Sequence, residues 1–521
     1  MLFNSYIFIF LFFPMCITGF YLLAGHDRDV PARIWLIGFS LWFYGFFSPA
    51  YLIIMAVSIL LNYLLTQFMH RTDKKTGKRA ILIAGVIINL GLLGYFKYLD
   101  FTISNLNFIF KTDIPLRGIL LPLGISFFTF QQIGFLADTY RGEADRVGFI
   151  DYALFVSLFP QLVAGPIVTQ AEMLPQFKTI RGRKPEAEKI ARGLSLFILG
   201  LSKKTLIADS LGRAVDAGYD MIPQLGGLDS FLVMVWYALQ LYFDFSGYCD
   251  MARGLACMLG FELPVNFDSP YQADDITDFW HRWHRTLTRF FTAYVYIPLG
   301  GSRCGEVRTI VNILIVYLLS GLWHGAGWNY ILWGALHGVA YALVRTVQRH
   351  MRRNKEAAGA TEKAGAGQTP DDDGRRPAPG SIVRTALRAA GRIITFLYVS
   401  FAWIYFRAES ISQGTELIRR MFTGTWKNVN YTLADKFVEI DELWYIVKFS
   451  GLPGYNFPLA HNLVMIAVTI AALVTVSVLP NADKCVRRMK PRVLNAVLLG
   501  ALGLWCVLSL SEVSTFLYFN F

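Results

Sequence analysis

Long apolar runs recur along this chain of 521 residues and constrain its fold more than any other feature. A helix needs about 20 apolar residues to cross the hydrocarbon core of a bilayer, which is roughly 30 Å thick. Such runs lie at residues 2–25, 33–47, 51–69, 80–96, 119–136, 152–168, 194–209, 230–248, 310–322, 330–347, 382–406, 459–479 and 493–510. Several are short or interrupted by Gly and Pro, and non-helical backbone at membrane depth must be covered by protein or line a cavity. The sequence therefore predicts an all-α polytopic membrane protein with re-entrant segments.

The distribution of charge indicates how these runs are oriented. The chain is 54% hydrophobic and 17% charged, with a formal net charge of +12. Lys and Arg concentrate in short links between apolar runs, at 71–79, 178–192, 345–388 and 484–492. Basic links of this kind are typical of cytoplasmic loops, so the charge indicates a protein in a lipid bilayer and argues against a nucleic-acid partner. The link at 71–79 follows three runs, which predicts an N-terminus outside the cytoplasm.

A segment poor in apolar residues divides the chain. Residues 352–381 are rich in Ala, Gly, Pro and charged residues, a composition that cannot bury a core. We expect a core at 1–351, a disordered cytoplasmic linker at 352–381, and C-terminal transmembrane helices at 382–521 that complete the bundle. The six cysteines are scattered without a CxxC pair, so neither a disulfide framework nor a zinc site is indicated.

Two histidines lie in or beside apolar segments, where an ionisable side chain is costly and marks a candidate functional site. His284 lies in the sequence DFWHRWHRTLTRFF, and His324 follows an apolar run in LLSGLWHGAGWN. An imidazole titrates near neutral pH and therefore suits a general base. Gly321, Gly325 and Gly327 flank His324 and leave room for a ligand or for close approach of the backbone. We predict that both histidines are catalytic.

A polar stretch precedes the first of these histidines. Asp244, Ser246 and Tyr248 lie at the end of an apolar run and are predicted to contact substrate, with satisfaction of buried backbone as the alternative. Ser246 as an acyl-enzyme nucleophile lacks the G-x-S-x-G elbow that would support it. Farther along, one amphipathic helix is predicted through Trp280 and His284, which are four residues apart and would share a face.

Three further side chains are candidate substrate contacts. The indole nitrogens of Trp283 and Trp323 are available hydrogen-bond donors, and His337 lies in the sequence LWGALHG. A structural hydrogen bond would explain His337 equally well. His281 and His284 are three residues apart but lack a carboxylate at metal-ligand spacing, so no metal site is predicted.

Several sequence blocks together resemble the membrane-bound O-acyltransferases, and within them the branch that includes the alginate O-acetylation protein and its relatives acting on peptidoglycan, cellulose and teichoic acid. The blocks stand in family order: PLGISFFTFQ at 122–131, FPQLVAGPI at 159–167, YFDFSGY at 242–248, DFWHRWH at 278–284 with YVYIPLGG at 294–301, GLWHGA at 321–326 with LWGALHG at 332–338, and FAWIYFRA at 401–408. One position departs from the pattern, because His281 stands where we expect Arg in most relatives.

The resemblance implies a fold of about eleven membrane helices, some re-entrant, around a central tunnel that crosses the bilayer. The family's essential histidine corresponds to His324 and its second histidine to His284. The implied activity is transfer of an acyl group, acetyl in the first instance, from a cytosolic thioester such as acetyl-CoA. The implied acceptor is a hydroxyl of a cell-surface or secreted polysaccharide of the alginate, exopolysaccharide or peptidoglycan type. The implied location is the bacterial inner (cytoplasmic) membrane, and no permanently bound cofactor is expected.

The resemblance also implies partners and leaves one alternative function. Members of this branch work beside an extracytoplasmic SGNH-type acetyltransferase or with an acyl carrier protein, and we expect one of these here. The alternative is a transporter or scaffold subunit of a polysaccharide-modification complex that moves an acyl group or glycan without ester chemistry of its own. His324 separates the two, because a transporter could tolerate Gln there whereas a proton-abstracting catalyst could not.

Overall fold

The computed structural model describes residues 1–26, 28–365, 381–438, 441–451, 457–510 and 516–517, and within these residues the chain forms helices and no strand. The first α-helices are α1 (Phe13–Gly25), α2 (Asp29–Gly45), α3 (Pro49–Arg71), α4 (Lys75–Leu93), α5 (Leu99–Phe110), α6 (Ile125–Arg141), α7 (Phe149–Ser157), α8 (Phe159–Leu162), α9 (Gln170–Lys178), α10 (Ala187–Ser202), α11 (Asp209–Asp220) and α12 (Gly227–Met258). They are followed by α13 (Ile276–Arg282), α14 (Arg285–Phe291), α15 (Glu306–His324), α16 (Trp328–Gly365), α17 (Ser381–Arg407), α18 (Ile411–Thr423), α19 (Tyr431–Asp435), α20 (Asp441–Phe449), α21 (Phe457–Val478), α22 (Ala482–Arg488) and α23 (Val493–Leu508). Short π-helical turns lie at Phe8–Phe12, Gly94–Tyr98, Lys203–Ala208 and Thr292–Tyr296, and 3₁₀ turns at Ile222–Gln224 and Pro270–Gln272.

Among the described residues, six helical segments are long and apolar enough to cross a membrane. They are Phe8–Gly25, Pro49–Arg71, Lys75–Phe110, Glu306–His324, Thr385–Arg407 and Phe457–Val478, and Val493–Leu508 is a shorter apolar helix. These segments confirm the prediction of an all-helical, multi-pass membrane protein. The count of eleven membrane helices stays a prediction.

The span Lys75–Phe110 is longer than the apolar run at 80–96 predicted. The helix continues through the π-helical turn Gly94–Tyr98 into α5 without interruption. At a rise of 1.5 Å per residue, its 36 residues cover about 54 Å, well beyond the roughly 30 Å of a bilayer core. The extra length carries Lys97 to the end of α15, where it contacts the backbone of His324.

The long helix α12 is the buried centre of the bundle, and small residues let α10 pack directly against it. A Cβ placed on Gly200 would lie 2.6 Å from the carbonyl oxygen of Gly247. A Cβ placed on Gly254 would lie 2.5 Å from the carbonyl oxygen of Gly193. Close helix–helix approach through small residues is a common source of packing energy in membranes, where lipid offers no hydrophobic driving force. The two glycine pairs therefore fix how α10 lies on α12.

Glycines also set the contact between α15 and α16, the two helices that carry His324 and His337. A Cβ on Gly321 would collide with the carbonyl oxygen of Tyr330, and a Cβ on Gly325 would collide with the Tyr330 ring. Close backbone approach at Gly321 was one of the two roles predicted from the sequence. The other role, open space for a ligand, is wrong at Gly321 and Gly325, because Tyr330 already fills that space.

The C-terminal helices pack onto the same core as the N-terminal part. Arg253 on α12 forms a 2.8 Å ion pair with Asp483 on α22. The indole nitrogen of Trp236 donates to the Thr469 hydroxyl at 2.9 Å. These contacts join the C-terminal helices to α12, and the predicted division of the chain at 382–521 stays a prediction.

The division of the chain near residue 352 differs in one respect from the prediction. The helix α16 continues to Gly365, so residues 352–365 are helical where an irregular linker was expected. Residues 366–380, the remainder of the predicted linker before α17 begins at Ser381, lie outside the described residues. Their predicted disorder stays a prediction.

Candidate active site: a buried histidine centre

The helix predicted around His284 is interrupted at that residue. The helix α13 ends at Arg282, and His284 has a left-handed backbone conformation (φ 42°, ψ 50°) immediately before α14. Backbone hydrogen bonds compensate for the break: the Arg285 amide donates to the Asn266 carbonyl at 3.0 Å, and the Asp268 amide donates to the Arg282 carbonyl at 3.0 Å. The expectation of one continuous amphipathic helix is therefore wrong. The segment at 266–268 supplies hydrogen bonds that the pattern of side chains does not reveal.

The imidazole of His284 is fully buried, and Asn266 sets its orientation. The Nδ1 atom of His284 lies 3.2 Å from Oδ1 of Asn266, which also accepts a 2.9 Å hydrogen bond from the Thr286 hydroxyl. The amide nitrogen of Asn266 donates to the sulfur of Cys249 at 3.4 Å, so the amide has one orientation. Because an amide oxygen only accepts, Nδ1 of His284 carries the proton and Nε2 keeps its lone pair.

The second predicted histidine, His324, is the last residue of α15 and is 4% exposed. Its ring lies among aromatic side chains, with centroid distances of 4.9 Å to Trp323, 5.1 Å to Trp333 and 5.1 Å to Phe406. The Trp323 ring is also 6.3 Å from the ring of His284. The structure therefore brings the two predicted histidines into contact with one indole, although they are forty residues apart in the sequence.

The third histidine of this centre is His337. The indole nitrogen of Trp280 donates to Nδ1 of His337 at 3.3 Å, which leaves the proton of the neutral ring on Nε2. The His337 ring is 4.9 Å from Trp333, the same indole that contacts His324. This hydrogen bond matches the structural role that the sequence left open for His337, and its predicted contact with substrate stays a prediction.

The two tryptophans predicted as donors lie in the same aromatic cluster. Trp283 is 2% exposed, with ring distances of 5.1 Å to Trp403 and 5.5 Å to Phe279. Trp323 is 3% exposed, and within the described residues its indole nitrogen has no hydrogen-bond acceptor. A buried N–H without an acceptor is rare and costs free energy, so the Trp323 nitrogen is available to a ligand.

The other three candidates lie away from the histidines. Asp244 accepts hydrogen bonds from Nζ of Lys204 at 2.8 Å and from the backbone amide of Leu517 at 3.0 Å. The Ser246 hydroxyl lies 3.4 Å from Nζ of Lys203. The hydrogen bond from Leu517 to Asp244 links the core to the C-terminal part of the chain, and Ser246 contacts a neighbouring lysine of the core. Their predicted contact with substrate stays a prediction.

The remaining candidate, Tyr248, belongs to an aromatic contact on the same side of α12. Its ring stacks on Phe3 at 4.9 Å and meets Phe516 edge-on at 5.0 Å. Phe245, three residues earlier on the same helix, contacts His284 at a ring-centroid distance of 4.9 Å. The helix α12 thus connects the histidine centre with the buried charges.

A cavity of about 280 Å³ opens beside α16 and is bounded by α13, α14, α15 and α16. Its outer part includes Arg345, His281, Tyr296 and Tyr341. The guanidinium group of Arg345 lies 5.7 Å from the centre of the Tyr296 ring. The mouth of this cavity is therefore aromatic and positively charged.

The same cavity is also lined by neighbours of the histidine centre, although His284, His324 and His337 are not among its lining residues. It includes Ser320, one helical turn before His324, and Leu287, which follows His284 on α14. Trp280 also lines it and donates to His337 at the far side. A ligand that enters past the arginine would thus approach the histidines through the wall formed by α13 and α15.

A second and larger cavity, of about 1020 Å³, meets the centre from another side. It is lined mainly by apolar residues of α4, α6 and α15, and it includes Trp323 and Tyr98 at one end and Arg141 at the other. Within the described residues no group of three or more His, Cys, Asp or Glu side chains could hold a metal ion. The two cavities are consistent with access from two directions, and one continuous tunnel stays a prediction.

Two residues that contact the centre were missed from the sequence. Asn266 orients His284, and Lys97 donates to the backbone carbonyls of Trp323 and His324. In the sequence, each is a polar residue between apolar neighbours, Asn266 in PVNFDSP and Lys97 in GYFKYL, and this pattern could have marked both as candidates. The partners lie too far along the chain for this signal to identify them.

The fold and the site together define a multi-pass helical membrane protein with a buried centre of histidines, beside a cavity whose lining includes Arg345. A sequence profile of the membrane-bound O-acyltransferase family (MBOAT) matches residues 137–366, which include all three histidines. The chain belongs to this family and is an O-acyltransferase. The predicted resemblance and the predicted enzyme class are confirmed, and the alternative of a transporter or scaffold without ester chemistry is not supported.

Individual relatives are similar over most of the chain. The peptidoglycan O-acetyltransferase of Helicobacter pylori is 38% identical over 447 residues, which cover 81% of this chain and 80% of the relative. The probable alginate O-acetylase AlgI of Pseudomonas aeruginosa is 36% identical over 434 residues, which cover 82% of this chain and 76% of the relative. The teichoic acid D-alanyltransferase of Streptococcus thermophilus is 25% identical over 311 residues, which cover 56% of this chain and 69% of the relative.

Proposed function

We propose that this protein transfers an acetyl group from a thioester on the cytosolic side of the bacterial inner membrane to a hydroxyl group of a cell-surface or secreted polysaccharide. The relatives that are at least a third identical are named for O-acetylation of peptidoglycan and alginate, which are both polysaccharides. The more distant relative is named for transfer of an alanyl group to teichoic acid. The shared element is esterification of a hydroxyl on a cell-envelope polymer.

The observation that carries the proposal is the cavity between Arg345 and the histidines. Its mouth lies on α16 at the start of the basic stretch 345–388, and basic stretches of this kind mark the cytoplasmic side. The phosphates of acetyl-CoA match a positive mouth, since Arg forms strong charge-assisted hydrogen bonds to phosphate. The narrow pantetheine arm would then carry the thioester inward to Ser320 and the neighbouring His324.

The chemistry assigned to His324 is general-base catalysis. Its imidazole removes the proton of the acceptor hydroxyl, and the oxygen forms a bond to the carbonyl carbon of the thioester. The carbon–sulfur bond then breaks, and the thiolate of the donor takes up a proton from the imidazolium. The Trp323 nitrogen, which lacks an acceptor among the described residues, donates to the carbonyl oxygen as negative charge develops on it. Hydrogen bonds aimed at that oxygen typically contribute about 3–4 kcal/mol.

His284 has the second role in this scheme. Asn266 holds the proton on Nδ1, so the Nε2 lone pair can accept a hydrogen bond from a neighbouring hydroxyl of the acceptor sugar and orient the acceptor. The polymer itself lies outside the cell membrane. Because the basic links at 71–79 and 484–492 are typical of cytoplasmic loops, we assign an N-terminus and a C-terminus outside the cytoplasm. An extracytoplasmic SGNH-type acetyltransferase is the proposed partner at that face. An acyl carrier protein is the alternative thioester donor at the other face.

The test is the pair His324→Ala and His324→Gln in cells that make the polymer. Gln keeps a hydrogen-bonding side chain of similar reach but cannot accept a proton near neutral pH. We expect both variants to reduce the ester content of the purified polymer by about 10²–10⁴-fold, the usual contribution of a general base. The ester is measured after alkaline release, with the membrane level of each variant checked by immunoblot.

The matched control is His461→Gln. His461 is also a buried histidine among aromatic rings, 5.1 Å from Tyr431, but it lies in the C-terminal helices away from the centre. We expect it to keep wild-type ester content. If His324→Gln retains more than about a tenth of wild-type ester, general-base catalysis at this residue is wrong.

A further inference from the structure

We propose that Lys97 is a positioning residue for the transfer reaction, which holds the end of α15 and through it the imidazole of His324. Nζ of Lys97 lies 2.5 Å from the carbonyl oxygen of Trp323 and 3.1 Å from that of His324. The neighbouring Tyr98 hydroxyl donates to the carbonyl oxygen of Leu322 at 2.8 Å. Two consecutive residues of one helix thus bind the last three carbonyl groups of another.

The end of α15 needs such donors because no further helical turn follows to supply backbone N–H groups. The last carbonyls of a helix lack partners within the helix, and burying them without hydrogen bonds costs roughly 1–3 kcal/mol each. Gly325 follows His324 with an extended backbone (φ −160°, ψ 151°), so the chain leaves the helix at once. A cation at this position also interacts favourably with the negative end of the helix dipole.

A π-helical turn presents both donors together. Consecutive residues of a regular α-helix are about 100° apart around its axis, and a π-helical turn, which has more residues per turn, brings them closer together. Lys97 and Tyr98 lie in the wider turn Gly94–Tyr98, and such turns inside α-helices occur frequently at functional sites. Lys97 stands in a strongly apolar span, where a charged side chain is costly unless it is paired. The backbone carbonyl groups of Trp323 and His324 are the hydrogen-bond partners of this side chain.

Lys97 contacts two residues of the histidine centre, Trp323 and His324. Its Nζ lies 5.9 Å from the centre of the Trp323 indole, the ring that contacts both His324 and His284. Loss of the ammonium group therefore frees both the backbone of His324 and the indole beside it. A misplacement of about 1 Å at a reacting group can lower a rate by about 10²-fold.

Lys97 does not line the cavity proposed for the donor, whose walls come from α13 to α16. Its loss should consequently lower kcat and leave the KM for the donor nearly unchanged, a pattern that indicates altered positioning rather than altered binding. This inference rests on the proposed function, because it assigns Lys97 to the same reaction.

The kinetic test uses the purified full-length chain in lipid nanodiscs, with acetyl-CoA as donor and the cell's own purified polymer as acceptor. We expect Lys97→Met, which keeps the length of the side chain but removes its donors, to lower kcat by at least about tenfold with the donor KM within about twofold. Lys97→Arg keeps the charge and the donors and should recover most of the rate. Lys111→Met, an exposed lysine just after the same helix, is the matched control with wild-type kinetics.

A second measurement needs no substrate and separates this inference from the proposed function. Carbethoxylation of His324 by diethyl pyrocarbonate is followed by mass spectrometry of the peptide that contains it. We expect Lys97→Met to raise the modification rate by at least about threefold, and Lys97→Arg to leave it unchanged, since local opening of the helix end exposes the ring. Thermal unfolding of each variant shows whether the whole protein has been destabilised.

The outcomes are distinct. If Lys97→Met keeps both wild-type kcat and wild-type reactivity of His324, the positioning role is wrong. It is also wrong if Lys97→Met lowers activity only in proportion to the loss of folded protein. If the wild-type chain transfers nothing from acetyl-CoA, direct transfer from this donor by the chain alone is wrong, and the reactivity of His324 then decides the role of Lys97 by itself.

Discussion

The Nδ1 atom of His284 lies 3.2 Å from the side-chain oxygen of Asn266, and this contact determines which nitrogen of the histidine can accept a proton. The same oxygen accepts hydrogen bonds from the Thr286 hydroxyl and, at 3.3 Å, from the Thr286 amide. One amide thus fixes both the ring and the first turn of the helix that follows it. A fixed tautomer matters because only the unprotonated nitrogen can accept a hydrogen bond from a hydroxyl group and so orient that group.

We expect Asn266→Ala to lower acyl transfer by about tenfold to 10²-fold, as it leaves His284 free to change tautomer and ring orientation. The cost of an unsatisfied buried donor, roughly 1–3 kcal/mol, corresponds to this range. The measurement is the ester content of the polymer at matched protein level. Cys249→Ala is the control, because it removes only the weak 3.4 Å contact of the same amide and should change activity little. Equal activity of both variants would show that Asn266 does not orient the histidine.

The glycine contact between α15 and α16 predicts a stability effect. Gly321→Ala places a methyl group against the carbonyl oxygen of Tyr330, so the two helices must separate. We expect a destabilisation of about 1–3 kcal/mol, typical of overpacking, and a lower midpoint of thermal unfolding in detergent. Gly91→Ala, on α4 with no atom within 4 Å of the added carbon, should be neutral or slightly stabilising. A wild-type midpoint for Gly321→Ala would mean that the helices are not in close contact.

The basic mouth of the smaller cavity predicts an effect on donor binding. Arg345→Gln removes the guanidinium group that lies over Tyr296 and should raise the KM for acetyl-CoA by about five- to tenfold, with kcat nearly unchanged. The comparison is Arg353→Gln, which removes the same charge from an exposed position farther along α16. A similar rise in KM for both variants would indicate a general effect of charge, and no rise for Arg345→Gln would place the donor elsewhere.

The orientation in the membrane is tested with two lysines at the ends of one span. The basic link 71–79 should be cytoplasmic, so Lys75 lies inside, and Lys111, just after Lys75–Phe110, lies outside. In a background without the six native cysteines, an impermeant maleimide added to intact cells should label Lys111→Cys and spare Lys75→Cys. Both positions should react after the cells are broken. The reverse labelling pattern would invert the proposed topology.

Much of the fold could be predicted from the sequence, because apolar runs in a bilayer have few alternatives to helices. The same reasoning identified His324 and His284, since an ionisable residue in an apolar segment is costly wherever it lies. The length of the span Lys75–Phe110 was underestimated because Lys97 was taken as its end. A lysine can continue an apolar helix when carbonyl groups of another helix bind its ammonium group, and those groups are 226 and 227 residues away.

A helical chain that spans a membrane and carries His284 and His324 within ordered sequence blocks could be predicted from the amino-acid sequence. Each of these properties depends on local composition or on a linear motif. Three features become visible only in the folded chain: α13 and α14 are separate helices, Tyr330 fills the space beside Gly321, and Asn266 and Lys97 contact the two histidines. The reason is physical: hydrogen bonds and close packing join residues by distance in space, and a linear pattern does not record which distant group will meet an unsatisfied donor or acceptor.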